Sequence, residues 1–406
     1  MDLSQNTLLQ RVPDLNMHLG SGNNLRISIG DYVLEGGPHS LAVLDAFAQP
    51  RQLSEALEQL RARTSGVQDW MDLTSTIFQF YQAGVLRDET RAESLFTNDD
   101  TGYDAPPIHL AMLNDRARTA RFLAGIREIV RPGDVVVDIG TGTGILAVAA
   151  AQAGARHVYA IEATSIGRSA SAVFAANGLA DRITLLQGWS TQVSLPERAD
   201  VLISEMIGNE PLGERVLEVT ADALRRLLKP DARLVPSKVT LFGLPVTIPA
   251  AELVKRTFTI ETLRTWRAWY DIDFGPLAEA TRNASNMFYT NPYSAREWQS
   301  IGDPVLLADI DLTAVSQLLI DTTTSFTANV SGQLNGVIVY FELELGPNTC
   351  LSTCPAQVDE DNHWRSPVWV LPDTLSAQAG DRFDIIYRYR VPGTQRQVDV
   401  VRSHAP

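Results

Sequence analysis

The chain has 406 residues, with 34 Lys and Arg against 48 Asp and Glu, so its formal net charge is −14. This length exceeds that of one compact core and predicts two or three domains, while 45% apolar and 20% charged residues are typical of a folded, water-soluble protein. The acidity disfavours a duplex nucleic-acid binder, which needs a basic surface, and favours basic partners.

The sequence gives little indication of a targeting segment, a membrane span or a disulfide bond. No stretch approaches the length of an apolar membrane span, and the N-terminus lacks a basic segment followed by an apolar one. We therefore expect a cytoplasmic protein with no membrane partner. Cys350 and Cys354 are the two cysteines, and with no second pair we interpret them as reduced thiols and expect no metal.

The sequence of the first 95 residues predicts an N-terminal tail followed by a small domain. Residues 1–24 are polar, and we expect a poorly ordered N-terminal tail there. Over residues 25–95, two short strands begin at Leu25 and Tyr32. Three helical patterns follow, at Leu41–Phe47, at Leu53–Leu60 and from Ile77 onwards. This order of elements indicates a winged-helix-like domain.

The remaining chain predicts an α/β domain followed by an all-β domain. Within residues 96–235, helical segments alternate with four apolar strands, Val135–Val137, His157–Ile161, Ile183–Leu186 and Val201–Ile203. That alternation is typical of a parallel sheet with helices on both faces. Residues 236–406 mostly contain strand patterns separated by polar turns, with one clear helix from Ala251 to Trp269. They predict an antiparallel sandwich or barrel.

The strongest local motif is a strand that enters a glycine-rich turn. After Val135–Val137 come Asp138 and then glycines in a GxGxG pattern, beginning at Gly140 and Gly142. Glu162 ends the next strand, where a carboxylate can bond both hydroxyls of a ribose. This pattern suits S-adenosylmethionine (SAM), which has no phosphate for a helix N-terminus to hold. The motif alone leaves the identity of the adenosyl ligand open.

A second motif follows the strand Val201–Ile203 and contains two carboxylates, Glu205 and Glu214. Loops at the carboxyl ends of parallel strands line the ligand crevice, so we expect both glutamates beside the cofactor. Paired carboxylates suit a guanidinium group, which is always protonated and presents several donors. The alternative interpretation is that these acids are solvated loop charges.

Together these motifs resemble the protein arginine methyltransferase family from about residue 99 to residue 406. The glycine turn resembles its SAM motif, and Glu205 and Glu214 resemble its double-glutamate loop. Ile108–Thr119 is similar to the helix that covers the cofactor, and Asn362–Trp364 resembles the Thr-His-Trp loop of its β-barrel. The resemblance implies a SAM-binding Rossmann-like domain over residues 96–235 and a β-barrel substrate domain after it.

The resemblance also implies a role for each matching residue. Glu205 and Glu214 would grip the substrate guanidinium, while Asp115 and His363 would pair across the two domains for proton removal or domain alignment. The implied cofactor contacts are His109, Arg118, Asp138, Gly140, Gly142, Glu162 and Thr191. The implied substrate contacts are Tyr103, Met112 and Trp364. A dimerisation arm near residues 268–300 implies a homodimer.

The chain departs from the family pattern near the proposed pocket. Asp99 and Asp100 stand where the family has Tyr-Phe, and Thr191 stands where a glutamate usually meets the adenine. Asn209 replaces an aromatic residue in the double-glutamate loop. Because both glutamates remain, these departures indicate an atypical substrate rather than a loss of chemistry.

Residues 26–87 resemble a PqqD-like domain, the peptide-binding element of enzymes that modify ribosomally made peptides. The features that carry this resemblance are Ile29–Leu34, Leu41–Phe47, Leu53–Leu57 and Tyr81–Leu86. It implies that a leader peptide binds as an added strand at a sheet edge. A DNA-reading winged helix is the rival interpretation, but residues 1–100 hold 14 acids against 7 arginines, a net charge of −7.

The leading hypothesis is transfer of a methyl group from SAM to a guanidino nitrogen of arginine in a peptide or protein, which releases S-adenosylhomocysteine. The substrate would include a ribosomally made precursor peptide that the N-terminal domain recruits. One alternative is a SAM-dependent methyltransferase with a non-arginine or small-molecule acceptor. Others are a SAM-binding regulatory protein without turnover and a DNA-binding regulator.

Overall fold

A computed structural model describes residues 7–12, 15–19, 25–29, 32–82, 85–88, 106–280, 286–315, 318–389 and 397–403. The chain divides into two compact units, Met1–Gly102 and Tyr103–Pro406. No helix within the described ranges is both long enough and apolar enough to span a membrane.

The first unit combines helices with two small antiparallel sheets. Its elements are β1 (Leu8–Arg11), β2 (Asn16–Leu19), β3 (Leu25–Ile29), β4 (Tyr32–Gly36), α1 (Ser40–Ala46), β5 (Arg51–Gln52), α2 (Leu53–Arg61), α3 (Val67–Gln82) and β6 (Leu86–Asp88). One sheet has the order β2-β3-β4 and the other has the order β5-β1-β6. The helices follow the predicted patterns in order, and α3 begins ten residues before the predicted start at Ile77.

The predicted polar tail over residues 1–24 requires a correction, because it contributes β1 and β2. Leu9 is fully buried in the core of the first unit, and Val12 is nearly so. The backbone N–H of Val12 donates to the Val85 carbonyl oxygen at 3.0 Å, and β1 lies between β5 and β6. Four-residue strands in a polar context carry too little periodicity to be predicted from sequence.

The second unit begins with an α/β part. Its elements are α4 (Pro106–Asn114), α5 (Arg116–Ile129), β7 (Val135–Ile139), α6 (Ile145–Gln152), β8 (His157–Glu162), α7 (Gly167–Ala176), β9 (Ile183–Gln187), β10 (Ala199–Ser204), α8 (Val216–Arg226) and β11 (Leu228–Val235). The sheet is parallel with the order β11-β10-β7-β8-β9, which confirms the predicted α/β fold. Strand β11 was not predicted, because Pro230 and Asp231 interrupt its apolar pattern.

The rest of the second unit is mainly antiparallel. Its elements are β12 (Lys238–Thr247), α9 (Ala250–Arg256), α10 (Ile260–Tyr270), α11 (Gly275–Ala280), β13 (Asn286–Thr290), α12 (Pro292–Ala295), β14 (Gln299–Ser300), β15 (Val305–Asp311), β16 (Ile320–Thr327), β17 (Gly332–Gly346), β18 (Thr349–Ser352), β19 (Ser366–Ala377), β20 (Arg382–Tyr389) and β21 (Gln397–Arg402). A short 3₁₀ helix spans Leu312–Ala314. The larger sheet has the order β13-β19-β17-β12-β14, with β15 on β12 and β18 on β17, and the smaller has the order β16-β20-β21.

Side-chain hydrogen bonds link these two sheets on both sides. The Thr322 hydroxyl on β16 donates to the Leu307 carbonyl oxygen on β15 at 2.6 Å. On the other side, the Arg402 guanidinium on β21 donates to the Ser376 carbonyl oxygen on β19 at 2.5 Å. Of the two antiparallel architectures that the sequence allows, these links on both sides favour the barrel.

The single helix predicted from Ala251 to Trp269 is in fact two helices. α9 ends at Arg256, and the Thr259 side chain accepts from the backbone N–H of Thr262 at 3.0 Å, which caps the start of α10. A capping threonine satisfies one of the free amides of a new helix, so the chain restarts there.

The barrel packs closely on the α/β part through α5. A Cβ atom at Gly125 would lie 2.5 Å from the Leu345 carbonyl oxygen, so only glycine permits this approach of α5 to β17. One turn later, Glu128 accepts from the Thr349 hydroxyl at 2.6 Å and from the Asn348 amide at 2.9 Å. These bonds lower the pKa of Glu128 from its usual value. The two parts share one continuous apolar core.

Candidate active site

Sheet order determines where the candidate site forms. Strand β7 lies between β8 and β10, and all three are parallel. The segments that follow these strands therefore meet at the same sheet edge, where ligands bind in open α/β sheets. They are the glycine turn, the segment after Glu162 and the loop from Glu205 to Glu214.

The glycine turn has the backbone that its sequence predicts. Gly140 has a φ of +74° and Gly142 has a φ of +54°, both in the left-handed region that side chains disfavour. A Cβ atom at Gly142 would lie 3.5 Å from His109 Cε1, so buried His109 on α4 lies against the turn. Helix α4 thus supplies one wall of the predicted cofactor site.

Glu162 links the turn after β7 to the turn after β8. One carboxylate oxygen accepts from the backbone N–H of Gly142 at 2.8 Å. The other accepts from the backbone N–H and the hydroxyl of Thr164, both at 2.8 Å. Sequence reasoning overlooked Thr164, although its place two residues after the acid is typical of such a turn.

Asp138 lies beneath the glycine turn. It is fully buried and accepts from the Thr141 hydroxyl at 2.6 Å. Burial raises the pKa of Asp138 to about 7, with the nearby Glu162 charge adding to the effect and the Thr141 bond opposing it. This position favours support of the turn over a direct contact with ligand.

The other residues assigned to cofactor or substrate occupy different surroundings. Met112 is half-buried on α4, three residues after His109 and so on the same side of the helix. Thr191 is exposed in the connection between β9 and β10. Tyr103, Asp99 and Asp100 lie outside the described residues. The described ranges contain no group of three or more His, Cys, Asp or Glu that could hold a metal ion.

The loop after β10 brings its two glutamates toward each other. A Cβ atom at Gly208 would lie 2.6 Å from Glu214 Oε1, so the Glu214 carboxylate rests against the backbone three residues after Glu205. The loop therefore folds back on itself between these two positions. Only glycine at position 208 leaves room for that carboxylate.

Arg118 is paired with Glu205. Its guanidinium donates to the Glu205 carboxylate, and each of the two side chains is only 9% exposed. The guanidinium also lies 5.5 Å from the ring centre of Trp364. The residue implied to contact SAM is therefore in direct contact with a residue implied to contact substrate. This pairing could not be read from either motif.

Hydrogen bonds from described residues of the barrel support the double-glutamate loop. The Trp364 indole N–H donates to the Ile207 carbonyl oxygen at 2.7 Å, and the Tyr389 hydroxyl donates to the Leu212 carbonyl oxygen at 3.0 Å. The third bond runs from the backbone N–H of Arg365 to the Asn209 side-chain oxygen at 2.7 Å. Trp364 is 3% exposed, so its geometry favours holding the loop over the implied contact with substrate.

Asp115 and His363 form the expected pair between the two domains. The Asp115 carboxylate caps α5 and accepts from His363 Nδ1 at 2.9 Å and from the His363 backbone N–H at 3.0 Å. Burial alone would raise the pKa of Asp115, but the bonds from His363 and from the Arg118 backbone hold it below its usual value. An ionised Asp115 only accepts, so Nδ1 carries the proton and Nε2 can accept one.

Comparisons with known proteins identify the family to which the sequence is related. Residues 247–401 match the arginine methyltransferase oligomerization subdomain, and residues 116–274 match ribosomal protein L11 methyltransferase. The chain is 30% identical over 300 residues to protein arginine N-methyltransferase PRMT10 of Oryza sativa subsp. japonica. That alignment covers 68% of this chain and 78% of the rice protein. The chain is also 32% identical over 250 residues to the probable protein arginine N-methyltransferase 6 of Arabidopsis thaliana, which covers 59% of this chain. That match spans only about half, 55%, of the Arabidopsis protein.

Solved structures show the same architecture. The Trypanosoma brucei PRMT1 enzyme-prozyme heterotetrameric complex with AdoHcy matches with a TM-score of 0.63 and 25% identity, covering 71% of this chain and 89% of that one. Arabidopsis thaliana protein arginine methyltransferase 10 shares the fold, with a TM-score of 0.60 and 24% identity over 74% of this chain and 97% of that one. Fold and site together define a Rossmann-like methyltransferase with an attached β-barrel. The chain belongs to the protein arginine N-methyltransferase family.

Proposed function

We propose that this protein transfers a methyl group from SAM to a guanidino nitrogen of arginine in a peptide or protein. The observation that carries the proposal is the nearly buried pair of Arg118 and Glu205. A guanidinium group keeps its charge at any ordinary pH, and the Arg118 pair shows that Glu205 can stabilise a cation of the kind that a substrate arginine presents. Glu214 lies against the same loop and supplies a second carboxylate.

The cofactor wall, formed by the glycine turn, Glu162 and His109, has the groups that SAM binding needs. Glu162 is a buried acid at the end of β8 and suits the ribose, while the left-handed glycines allow close approach of the backbone. His109 lies against that turn. Arg118 has five N–H donors, enough to bind the carboxylate of SAM as well as Glu205. When bound, SAM supplies a methyl group on a positively charged sulfur.

The chain's own residues act mainly by position and charge. Glu205 and Glu214 hold the arginine and draw its positive charge toward the nitrogens they bind, which leaves another nitrogen more nucleophilic. Methylation makes that nitrogen give up a proton. His363 Nε2 can accept this proton, and the Asp115 carboxylate stabilises the resulting imidazolium.

The direct test measures release of S-adenosylhomocysteine with a single-arginine peptide and with the same peptide carrying lysine instead. We expect turnover with the arginine peptide only, because the lysine ammonium cannot fork onto two carboxylates. Equal turnover with both peptides, or turnover only with a small guanidino compound, would contradict the proposal and favour the alternative acceptors.

We also propose that the protein forms a homodimer through the arm near residues 268–300, which starts at the end of α10 and includes α11. Large apolar side chains are exposed there: Trp269 is 67% exposed, Tyr270 58% and Ile272 52%. Clustered apolar exposure of this kind is typical of an interface. Light scattering on the eluting protein should give twice the 44.5 kDa chain mass, and Trp269→Glu should shift it to one chain mass. A wild-type mass of one chain would contradict the proposal.

For the first unit we propose the PqqD-like role of binding a leader peptide. Among the described residues, β2 and β4 each pair on one side only, and an open strand edge is what an added peptide strand needs. The test uses a short peptide encoded beside the gene and the same peptide without its N-terminal half. The proposal predicts a lower KM for the full-length peptide, and equal KM values would contradict it.

A further inference from the structure

A polar cleft of about 460 Å³ lies in the β domain, outside the double-glutamate site. Helix α9 contributes Glu252 and Arg256 to its wall, the chain around β13 and α12 contributes Tyr289 and Ser294, and Arg365 contributes from the segment before β19. Trp298 adds an aromatic surface. Neither the sequence motifs nor the proposed chemistry assigns a role to this cleft.

The cleft begins close to the proposed site of methylation. Arg365 follows His363 by two residues, and consecutive Cα atoms are about 3.8 Å apart, so the wall starts within about 8 Å of the histidine backbone. The Arg365 amide also bonds Asn209 in the loop that carries both glutamates. Thr290 pairs with Ser366, which brings the β13 side of the cleft next to Arg365.

The charge of the cleft is opposite to that of the protein. Arg256 is neutralised by Glu252 one helical turn earlier, and its guanidinium stacks 4.8 Å from the ring centre of Phe288. Arg365 is exposed, and within the described residues its guanidinium has neither an ion pair nor a hydrogen bond. Among its described lining residues, the cleft therefore holds one uncompensated cation in a chain of net charge −14.

Two hydroxyl groups of the cleft wall can also donate hydrogen bonds. Burial raises the pKa of Tyr289, so its hydroxyl keeps its proton at neutral pH. Ser294 adds a second hydroxyl to the wall. A free guanidinium with hydroxyl donors around it suits an anion with planar oxygens, because a carboxylate can accept two parallel N–H bonds from one arginine.

We propose that this cleft is a substrate subsite for a carboxylate a few residues from the arginine that is methylated. The inference rests on the proposed arginine methylation and narrows its substrate class. Both an acidic side chain and the C-terminal carboxylate of a short peptide present this chemistry. A substrate that is basic overall can still bind this subsite, because the subsite contacts one carboxylate of the peptide and does not respond to the net charge of the whole peptide.

The test uses a set of peptides that share one arginine and differ at one position. A glutamate is placed in turn at each of several positions on both sides of the arginine, with glutamine at the same position as the reference. A second arm compares a free C-terminus with an amidated one at the same distances. We expect glutamate or the free C-terminus to lower KM about tenfold at one distance, as one charge-assisted pair would, with kcat little changed.

Substitutions of Arg365 test whether the preference for a peptide carboxylate arises in the cleft. Arg365→Gln should remove the advantage of the acidic peptide and leave the KM of the glutamine peptide unchanged. Arg365→Glu should reverse the preference in favour of lysine at that position. Arg382→Gln is the matched control, because Arg382 is another exposed arginine of the same β domain and does not line the cleft.

The two proposals fail in different ways. Methylation of arginine with no effect of a carboxylate at any position, or an effect that survives Arg365→Gln, would overturn the subsite alone. An effect lost equally in Arg382→Gln would also overturn it, because long-range charge would then be the cause. No methylation of any arginine peptide would overturn the proposed function and the subsite together.

Discussion

The candidate site has a cofactor wall, formed by the glycine turn, Glu162 and His109, and an acceptor wall, formed by the double-glutamate loop and the residues that contact it. The two walls differ in how far apart in the sequence their contacting residues lie. On the cofactor side, Gly142 and Glu162 bond across 20 positions, within neighbouring strand-turn units. On the acceptor side, His363 and Asp115 are 248 positions apart, and Trp364 and Ile207 are 157 positions apart. The cofactor wall therefore belongs to one domain, whereas the acceptor wall is completed only when the barrel packs on the α/β part.

The largest effect should come from the carboxylates of the acceptor wall. We expect Glu214→Gln and Glu205→Gln each to lower kcat on an arginine peptide by about 10²–10³-fold, because a neutral amide no longer stabilises the guanidinium charge. Initial rates at saturating SAM measure this effect.

The matched control is Glu197→Gln, which removes a carboxylate that is 42% exposed and paired with Arg156 on the surface of the same domain. Its kcat should stay at the wild-type value. If Glu197→Gln and Glu214→Gln lost the same activity, general charge or stability would explain the loss, and the assigned role of Glu214 would be wrong.

The next effect should come from the link between the domains. Asp115→Asn keeps a good helix-capping side chain but no longer presents a charged acceptor to His363. We expect kcat to fall about 10²-fold with little change in thermal stability, because general-base help is weakened while α5 stays capped. A pH–rate profile measures the change in kcat, and a melting curve measures the change in thermal stability. A variant that loses stability and activity together would indicate a structural role only.

A change in the cofactor wall should act on SAM and leave the peptide unaffected. For Glu162→Gln we expect the KM for SAM to rise about tenfold, since charge-assisted bonds to a carboxylate are roughly twice as strong as neutral ones. Steady-state kinetics with each substrate varied separately distinguish the two walls. A higher KM for peptide with an unchanged KM for SAM would mean that the walls are assigned the wrong way round.

Asp138 should couple stability to pH. Burial raises its pKa from 3.8 to about 7, so the folded state binds a proton more tightly than the unfolded chain does. This contribution is complete below about pH 4 and is lost as the pH rises through about 7. Between about pH 5 and pH 8, the melting temperature of the wild type should fall by a few degrees. Asp138→Asn, which imitates the protonated acid, should show less of this fall, and identical curves would contradict the account.

The smallest effect should come from one support of the acceptor wall. Tyr389→Phe removes the hydroxyl that donates to the Leu212 carbonyl oxygen and keeps the ring in the core. We expect a loss of about 1 kcal/mol in the free energy of unfolding, which is typical of one hydrogen bond, and a modest fall in kcat. Denaturant unfolding measures it. A loss of kcat as large as that of Glu214→Gln would show that the hydroxyl does more than support the loop.

The contrast between the walls also explains what sequence could predict. Strands β7, β8, β9 and β10 and the turn at Gly140 and Gly142 follow from periodicity and from glycine's backbone freedom, which are local properties. The pairs Arg118–Glu205 and Tyr389–Leu212 depend on tertiary packing that no short pattern encodes. The Asp115–His363 pair was expected only because the family resemblance placed the two residues together.

The most direct measurement follows a labelled methyl group to its final atom. The full-length protein is incubated with methyl-labelled SAM and a peptide that has one arginine, and tandem mass spectrometry then locates the label. We expect label on a guanidino nitrogen of that arginine with wild-type protein and at least about 10²-fold less with Glu214→Gln. Label on another side chain, or equal labelling of the arginine by Glu214→Gln, would contradict it.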